Sequence, residues 1–129
     1  MSAPRTAIAT PSAPRALGPY SQAVVAGDLV FCAGQVGLDP ATGTLVPGGA
    51  GPETARALDN LAAVLAAAGV GLDAIVKTTV YVVDLGEFAV VNEVYGRHLQ
   101  PPYPARATVQ VAALPAGARV EIDLLARVP

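Results

Sequence analysis

The sequence predicts an α+β fold: a mixed β-sheet with two helices packed on one face. Three observations predict it. Alternating or β-branched segments and helical segments follow the order strand, strand, strand, helix, strand, helix, strand, strand. Apolar residues recur at helical spacing in two stretches, one from Pro52 to Ala68 and one opening at Asp84. The chain has 129 residues, enough for one domain (1–129) with a real core, and is 53% hydrophobic but only 14% charged. With so few charges a monomer exposes much apolar surface, and burial in an oligomer is the simplest remedy.

The elements follow in order. Residues 1–17 are rich in Pro, Ala and Ser, with a short edge strand within Arg5 to Thr10. Gly18-Pro19-Tyr20 reads as a turn carrying an aromatic into the body, and on residues alone Tyr20 is a packing residue with a polar tip. Residues 21–26 and 29–36 are strands joined by the tight hairpin signal Gly27-Asp28. Cys32 lies among apolar residues of the second strand, a buried and inert thiol. Gly34 inside that strand marks a bulge or a close backbone approach to a ligand. Residues 37–51 form a loop with turns at Asp39-Pro40 and Thr42-Gly43, and their glycines make no phosphate cradle.

A helix is predicted over 52–68, with Pro52 and Glu53 in its first turn and Gly69 as its C-cap. Its stripe is Ala55, Leu58, Leu61, Ala62 and Leu65, with Arg56, Asp59, Asn60 and Ala63 facing away. Residues 75–83 form a β-branched central strand. Asp84 to Glu87 reads as a capping box opening a second helix whose stripe is Phe88, Val91, Tyr95 and Leu99. Asn92 lies beside that stripe and His98 at the helix C-terminus, where a cation is favoured. Pro101, Pro102 and Pro104 stiffen the connector that follows and carry Tyr103 toward a subunit edge.

The last stretch, Pro104 to Ile122, reads as a β-hairpin turning at Leu114 to Gly117. Ala107, Val109 and Val111 then register with Val120 and Ile122, and the polar face carries Arg106, Thr108, Gln110, Glu121 and Asp123. This register sets Glu121 diagonal to Thr108 with Arg106 one step further along. Arg106 presents a fork of parallel donors that matches a carboxylate, and a small acid ligand or a structural salt bridge to Asp123 or Glu121 would each satisfy it. Glu121 is either a solvated strand residue or an acid/base that holds a water.

Composition excludes several classes. A net charge of −2 lacks the concentrated basic face of a nucleic-acid binder. One Cys and one His leave no disulfide, no metal-ligand cluster and no nucleophilic triad signature. No apolar run is long enough to span a membrane and no secretory leader is seen, so the expectation is a cytoplasmic protein.

Several blocks occur in a distinctive order: Gly18-Pro19-Tyr20-Ser21-Gln22-Ala23, Ala33-Gly34-Gln35, Leu58-Asp59-Asn60-Leu61, Val76-Lys77-Thr78-Thr79-Val80 and Val91-Asn92. Pro104-Ala105-Arg106, Val109, Ala112, Leu114-Pro115 and Val120-Glu121-Ile122 complete the set. On these residues nearly the whole chain resembles the RidA/YjgF family of reactive-intermediate deaminases. The resemblance implies a chorismate-mutase-like fold assembled as a homotrimer, with three sites at subunit clefts. It implies hydrolysis of short 2-imino acids, 2-iminopropanoate and 2-iminobutanoate, to 2-keto acids and ammonia, with no cofactor and no metal. Carried over, Arg106 binds the substrate carboxylate, the backbone at Gly34 and Thr108 contacts substrate, Glu121 positions the attacking water and Tyr20 closes the pocket. Asn92 joins the substrate-binding set. Two departures stand out, since deaminase-branch members often carry Cys where this chain has Thr108 and Ser where it has Ala33. The alternatives are a non-catalytic trimer that binds small carboxylates and, ranked last for want of a basic-aromatic surface, RNA cleavage or translation inhibition.

Overall fold

The structure, a computed structural model, describes residues 4–129. Its centre is one six-stranded sheet in the order β1-β2-β3-β6-β4-β5. The strands are β1 (Thr6–Ile8), β2 (Ala23–Ala26), β3 (Leu29–Val36), β4 (Ile75–Val82), β5 (Ala105–Gln110) and β6 (Val120–Arg127). Every pairing is antiparallel except that of β4 with β5. Two helices, α1 (Ala50–Ala67) and α2 (Phe88–His98), share one buried cluster with alternate strand residues. They therefore cover one sheet face, as the element order predicts.

That cluster joins Leu58, Leu61, Val64 and Leu65 of α1 and Val91 and Tyr95 of α2 to Val30, Val80, Val82, Val120, Ile122 and Leu124 of the sheet. Full burial of each aliphatic contributes roughly 1.5–3 kcal/mol. The stripe on α1 is rotated from the expected one. Asn60 does not face away: it is fully buried, donates to the carbonyls of Val36 and Leu38, and accepts from Arg56. A buried amide is tolerated when so satisfied, and periodicity cannot register this because it counts Asn as polar. Gly69 follows the Ala68 cap with φ +84°, and Val70 N–H closes on the Leu65 carbonyl, a helix stop that needs glycine. Asp84 caps only a short turn, Leu85 to Glu87, by accepting from Gly86 N–H, and Glu87 binds Arg119 rather than closing the box. Phe88 lies at the surface, and Val94 takes its place in the buried stripe.

The largest correction concerns the expected terminal hairpin. Strands β5 and β6 do not pair; β4 lies between them. β5 runs parallel to β4 because α2 carries the chain back to the end where β4 began, a βαβ crossover. The turn at Pro115–Gly117 exists, with Ala116 and Gly117 at positive φ. It belongs to a link that straps the end of β4, since Val111 N–H donates to the Val82 carbonyl and Val83 N–H to the Arg119 carbonyl. Alternation gives each strand's period correctly but not its partner, and β4 was the better partner for both.

The corrected pairing separates the polar faces. Arg106, Thr108 and Gln110 lie opposite Thr78, Val80 and Val82, on the helix side. Glu121 and Asp123 lie opposite Tyr81 and Thr79, on the uncovered side. Phe31 on that open side is 43% exposed and Val109 41%. Among the described residues no helix is long and apolar enough to cross a membrane.

Candidate active site

The first half-site is built on β5 and α2. The Arg106 guanidinium carbon lies 4.9 Å from the centroid of the Tyr95 ring and 5.4 Å from that of Phe88. Among the described residues Arg106 enters no ion pair, so the alternative of a salt bridge to Asp123 or Glu121 is not what holds it. Ring faces stabilise the cation without using its N–H edge. The guanidinium opens on a cavity of about 390 Å³ lined by Asn92, Tyr95, Gly96, Tyr103, Pro104 and Arg106. Asn92 and Arg106, taken from different elements at the sequence level, thus meet at one cavity. Thr108 is one residue pair further along β5, opposite Val80.

The second half-site is built on β3 and β6. The β3–β6 register shifts between Cys32 and Gln35, which places a bulge at Gly34 as expected. A Cβ on Gly34 would sit 2.8 Å from the Glu121 carboxyl carbon, so the glycine makes room for that carboxyl rather than only bending the strand. Burial first and the neighbouring Asp123 second push the Glu121 carboxyl above its ordinary range. Tyr81 donates to Asp123 at 2.9 Å, and that hydrogen bond, aided by burial, raises the phenol.

Tyr20 does not enter the body. It is 56% exposed, at the tip of a turn closed by its own N–H on the Gly18 carbonyl. The turn is held from below by Gln22, a buried residue whose amide bonds Thr10, Ala13 and Pro14. The hydrogen bond from Ala33 N–H to the Gln22 carbonyl carries this loop alongside the Gly34 bulge. Cys32 is buried with its thiol pushed up to about 12, an inert group. His98 sits in the last turn of α2 with Nδ1 3.1 Å from the Val94 carbonyl and Nε2 3.4 Å from Asp59. Among the described residues no cluster of His, Cys, Asp and Glu is placed to hold a metal ion.

Sequence reasoning missed three contributors. Phe88 and Tyr95 entered only as core residues, since helical spacing reports a shared face and not a cation beside it. Glu53 was assigned to the helix dipole, yet it is buried and accepts from Arg119 N–H at 2.7 Å, pinning the start of β6. Arg119 in turn pairs with Glu87, just before α2. No local signal marks such long-range tethers.

The chain is thus a small α+β domain with Arg106 and Asn92 on one side of its sheet and Glu121 and Gly34 on the other. The chain belongs to the Endoribonuclease L-PSP family, whose family model matches residues 10–128. It is 52% identical over 122 residues to a Mus musculus protein named 2-iminobutanoate/2-iminopropanoate deaminase, covering 95% of this chain and 90% of that one. The crystal structure of RidA from the Antarctic bacterium Psychrobacter superposes with a TM-score of 0.92 at 46% identity, covering 95% of this chain and 99% of that one. The structure of E. coli TdcF with bound serine does so with a TM-score of 0.90 at 39% identity, over 96% and 99% of the two chains.

Proposed function

We infer that this protein is an imine deaminase, hydrolysing short 2-imino acids such as 2-iminopropanoate and 2-iminobutanoate to 2-keto acids and ammonia. The observation that carries the reading is Arg106: a guanidinium fork paired with no carboxylate among the described residues, facing a cavity shared with Asn92. A guanidinium in that state suits a small organic acid. The relative named for this activity and the serine-bound neighbour both support a ligand of that class.

The site is completed by a second copy of the chain. Arg106 and Glu121 lie on opposite sides of one sheet, so a single chain does not turn both toward one ligand. The exposed apolar residues of the open side, Phe31 and Val109, need cover. A cyclic homotrimer with a cleft at each seam supplies the cover and joins Arg106, Thr108 and Asn92 of one chain to Glu121, Gly34 and Tyr20 of the next.

In this arrangement the Arg106 fork holds the substrate carboxylate, and the backbone at Gly34 and Thr108 sets the imine carbon between the chains. Glu121 accepts a hydrogen bond from a water and directs it onto C2. The water oxygen bonds to C2 while the C=N pair moves to nitrogen, which takes a proton. As the carbinolamine collapses its hydroxyl proton passes to nitrogen, C=O forms and the C–N bond breaks, leaving the 2-keto acid and ammonia. An imine already hydrolyses in water, so placing one water suffices and no cofactor enters the scheme. Thr108 in place of the family's common Cys leaves a backbone contact intact. The test is ammonia release from freshly generated 2-iminopropanoate. Release accelerated by the wild type and sharply reduced in Arg106→Ala at low substrate supports the reading; 2-keto acid binding without rate enhancement on any imine would assign the protein to non-catalytic carboxylate binding.

A further inference from the structure

We propose that Tyr95, locked by Thr78, is the positioning residue that aims the Arg106 fork, with Phe88 as its weaker partner. The proposal rests on Arg106 as the carboxylate receptor and adds what holds it. Three contacts close a circuit. Thr78 and Arg106 are register partners on β4 and β5. The Thr78 hydroxyl and the Tyr95 hydroxyl share a buried hydrogen bond of 2.8 Å. The Tyr95 ring then lies 4.9 Å from the guanidinium carbon, and the Phe88 ring 5.4 Å from it. Thr78 is fully buried and Tyr95 only 5% exposed, so the ring has nowhere to move.

An arginine on an edge strand samples many rotamers, and a ligand that binds it must order them. Contact with a fixed ring removes much of that freedom in advance. A carboxylate partner would order the side chain too, but it would occupy the donors the ligand needs; a ring face leaves them free. The tyrosine hydroxyl has a specific part: it reaches inward to Thr78 and fixes the tilt of the ring, which a phenylalanine cannot do. Positioning of this kind acts on ground state and transition state alike, since the carboxylate is held throughout. It therefore shows in KM and not in kcat.

The experiment compares Tyr95→Leu, Tyr95→Phe, Phe88→Leu and Arg106→Ala. It reads kcat and KM on 2-iminopropanoate and the Kd of 2-oxobutanoate and of its neutral amide by calorimetry. Tyr95→Leu is expected to raise KM and the Kd of the keto acid about tenfold, with kcat within about twofold of wild type and the amide affinity unchanged. Tyr95→Phe keeps the ring but loses the lock and falls between, about threefold weaker than wild type, as does Phe88→Leu; wild-type affinity in Tyr95→Phe would overturn the part given to Thr78. Unchanged keto acid affinity in folded Tyr95→Leu overturns the proposal, as does a fall in kcat at constant KM. Where Tyr95→Leu does not fold, Phe88→Leu at the surface decides, and wild-type affinity there overturns it. If Arg106→Ala itself binds the keto acid normally, the receptor assignment fails; if Arg106→Ala loses binding and the ring variants do not, the positioning role alone fails.

Discussion

The two faces of the sheet carry opposite kinds of unfinished chemistry. On the helix-covered side, Val80, Val82, Val120, Ile122 and Leu124 are sealed beneath α1 and α2. At its β5 edge stands Arg106, a cation supported by rings and paired with no carboxylate among the described residues. On the uncovered side, Glu121 lies beside Gly34 and Asp123, with its carboxyl raised by burial and by the neighbouring charge. One half lacks an anion and the other makes ionisation costly. The difference is what a site shared between chains would leave on each copy, and the homotrimer proposed above would bring the two faces together.

The comparison breaks most visibly at Glu121. If Glu121 steers the water as proposed, Glu121→Gln is expected to lower kcat about 10²–10⁴-fold with KM nearly unchanged. Steady-state ammonia release checks it, and a rise in KM instead would move Glu121 into ground-state binding. Arg106→Ala is next: losing a charge-assisted pair of about 1.5–3 kcal/mol raises KM roughly 10- to 100-fold. Gly34→Ala is a finer probe, because its methyl would lie 2.8 Å from the Glu121 carboxyl carbon and must displace it. A kcat loss of about tenfold with little change in melting temperature is expected, since the displaced group is the end of a flexible side chain. Thr108→Ala is the smallest. A backbone role keeps kcat/KM within about threefold of wild type, and a larger loss would show that the hydroxyl takes part.

The raised Glu121 carboxyl also fixes a pH dependence. The folded chain holds that proton more tightly than the unfolded chain, so the stabilisation is complete below the ordinary carboxylate range. It is lost as pH rises through the raised value. Glu121→Gln has no such loss, so thermal melts across that window should show the variant gaining on the wild type. In the proposed mechanism the ionised form steers the water, so activity is expected to run the other way and climb with pH over the same window.

Much of this was legible in the sequence. Alternation and helical spacing place all eight elements, and the glycine inside β3 marks the bulge. Arg106 and Glu121 stand out by residue type within a distinctive block. What the sequence hides is partnership. The turn residues at Leu114 to Gly117 suggest a hairpin, and only the fold shows β4 inserted between the two strands. That single error put Arg106 and Glu121 on one face. Buried polar tethers such as Gln22, Asn60 and Glu53 are equally silent, because each is polar by type and buried only through partners distant in sequence.

Subunit complementation tests the shared cleft most directly. Arg106→Ala and Glu121→Gln are mixed and allowed to exchange subunits, with exchange followed by native mass spectrometry, and are assayed at substrate well below the raised KM of Arg106→Ala, where each alone has little activity. In the proposed trimer every mixed ring would carry one cleft with both residues intact, so random exchange should restore about a quarter of wild-type activity. Mixed trimers that form and stay inactive would contradict a site shared between chains.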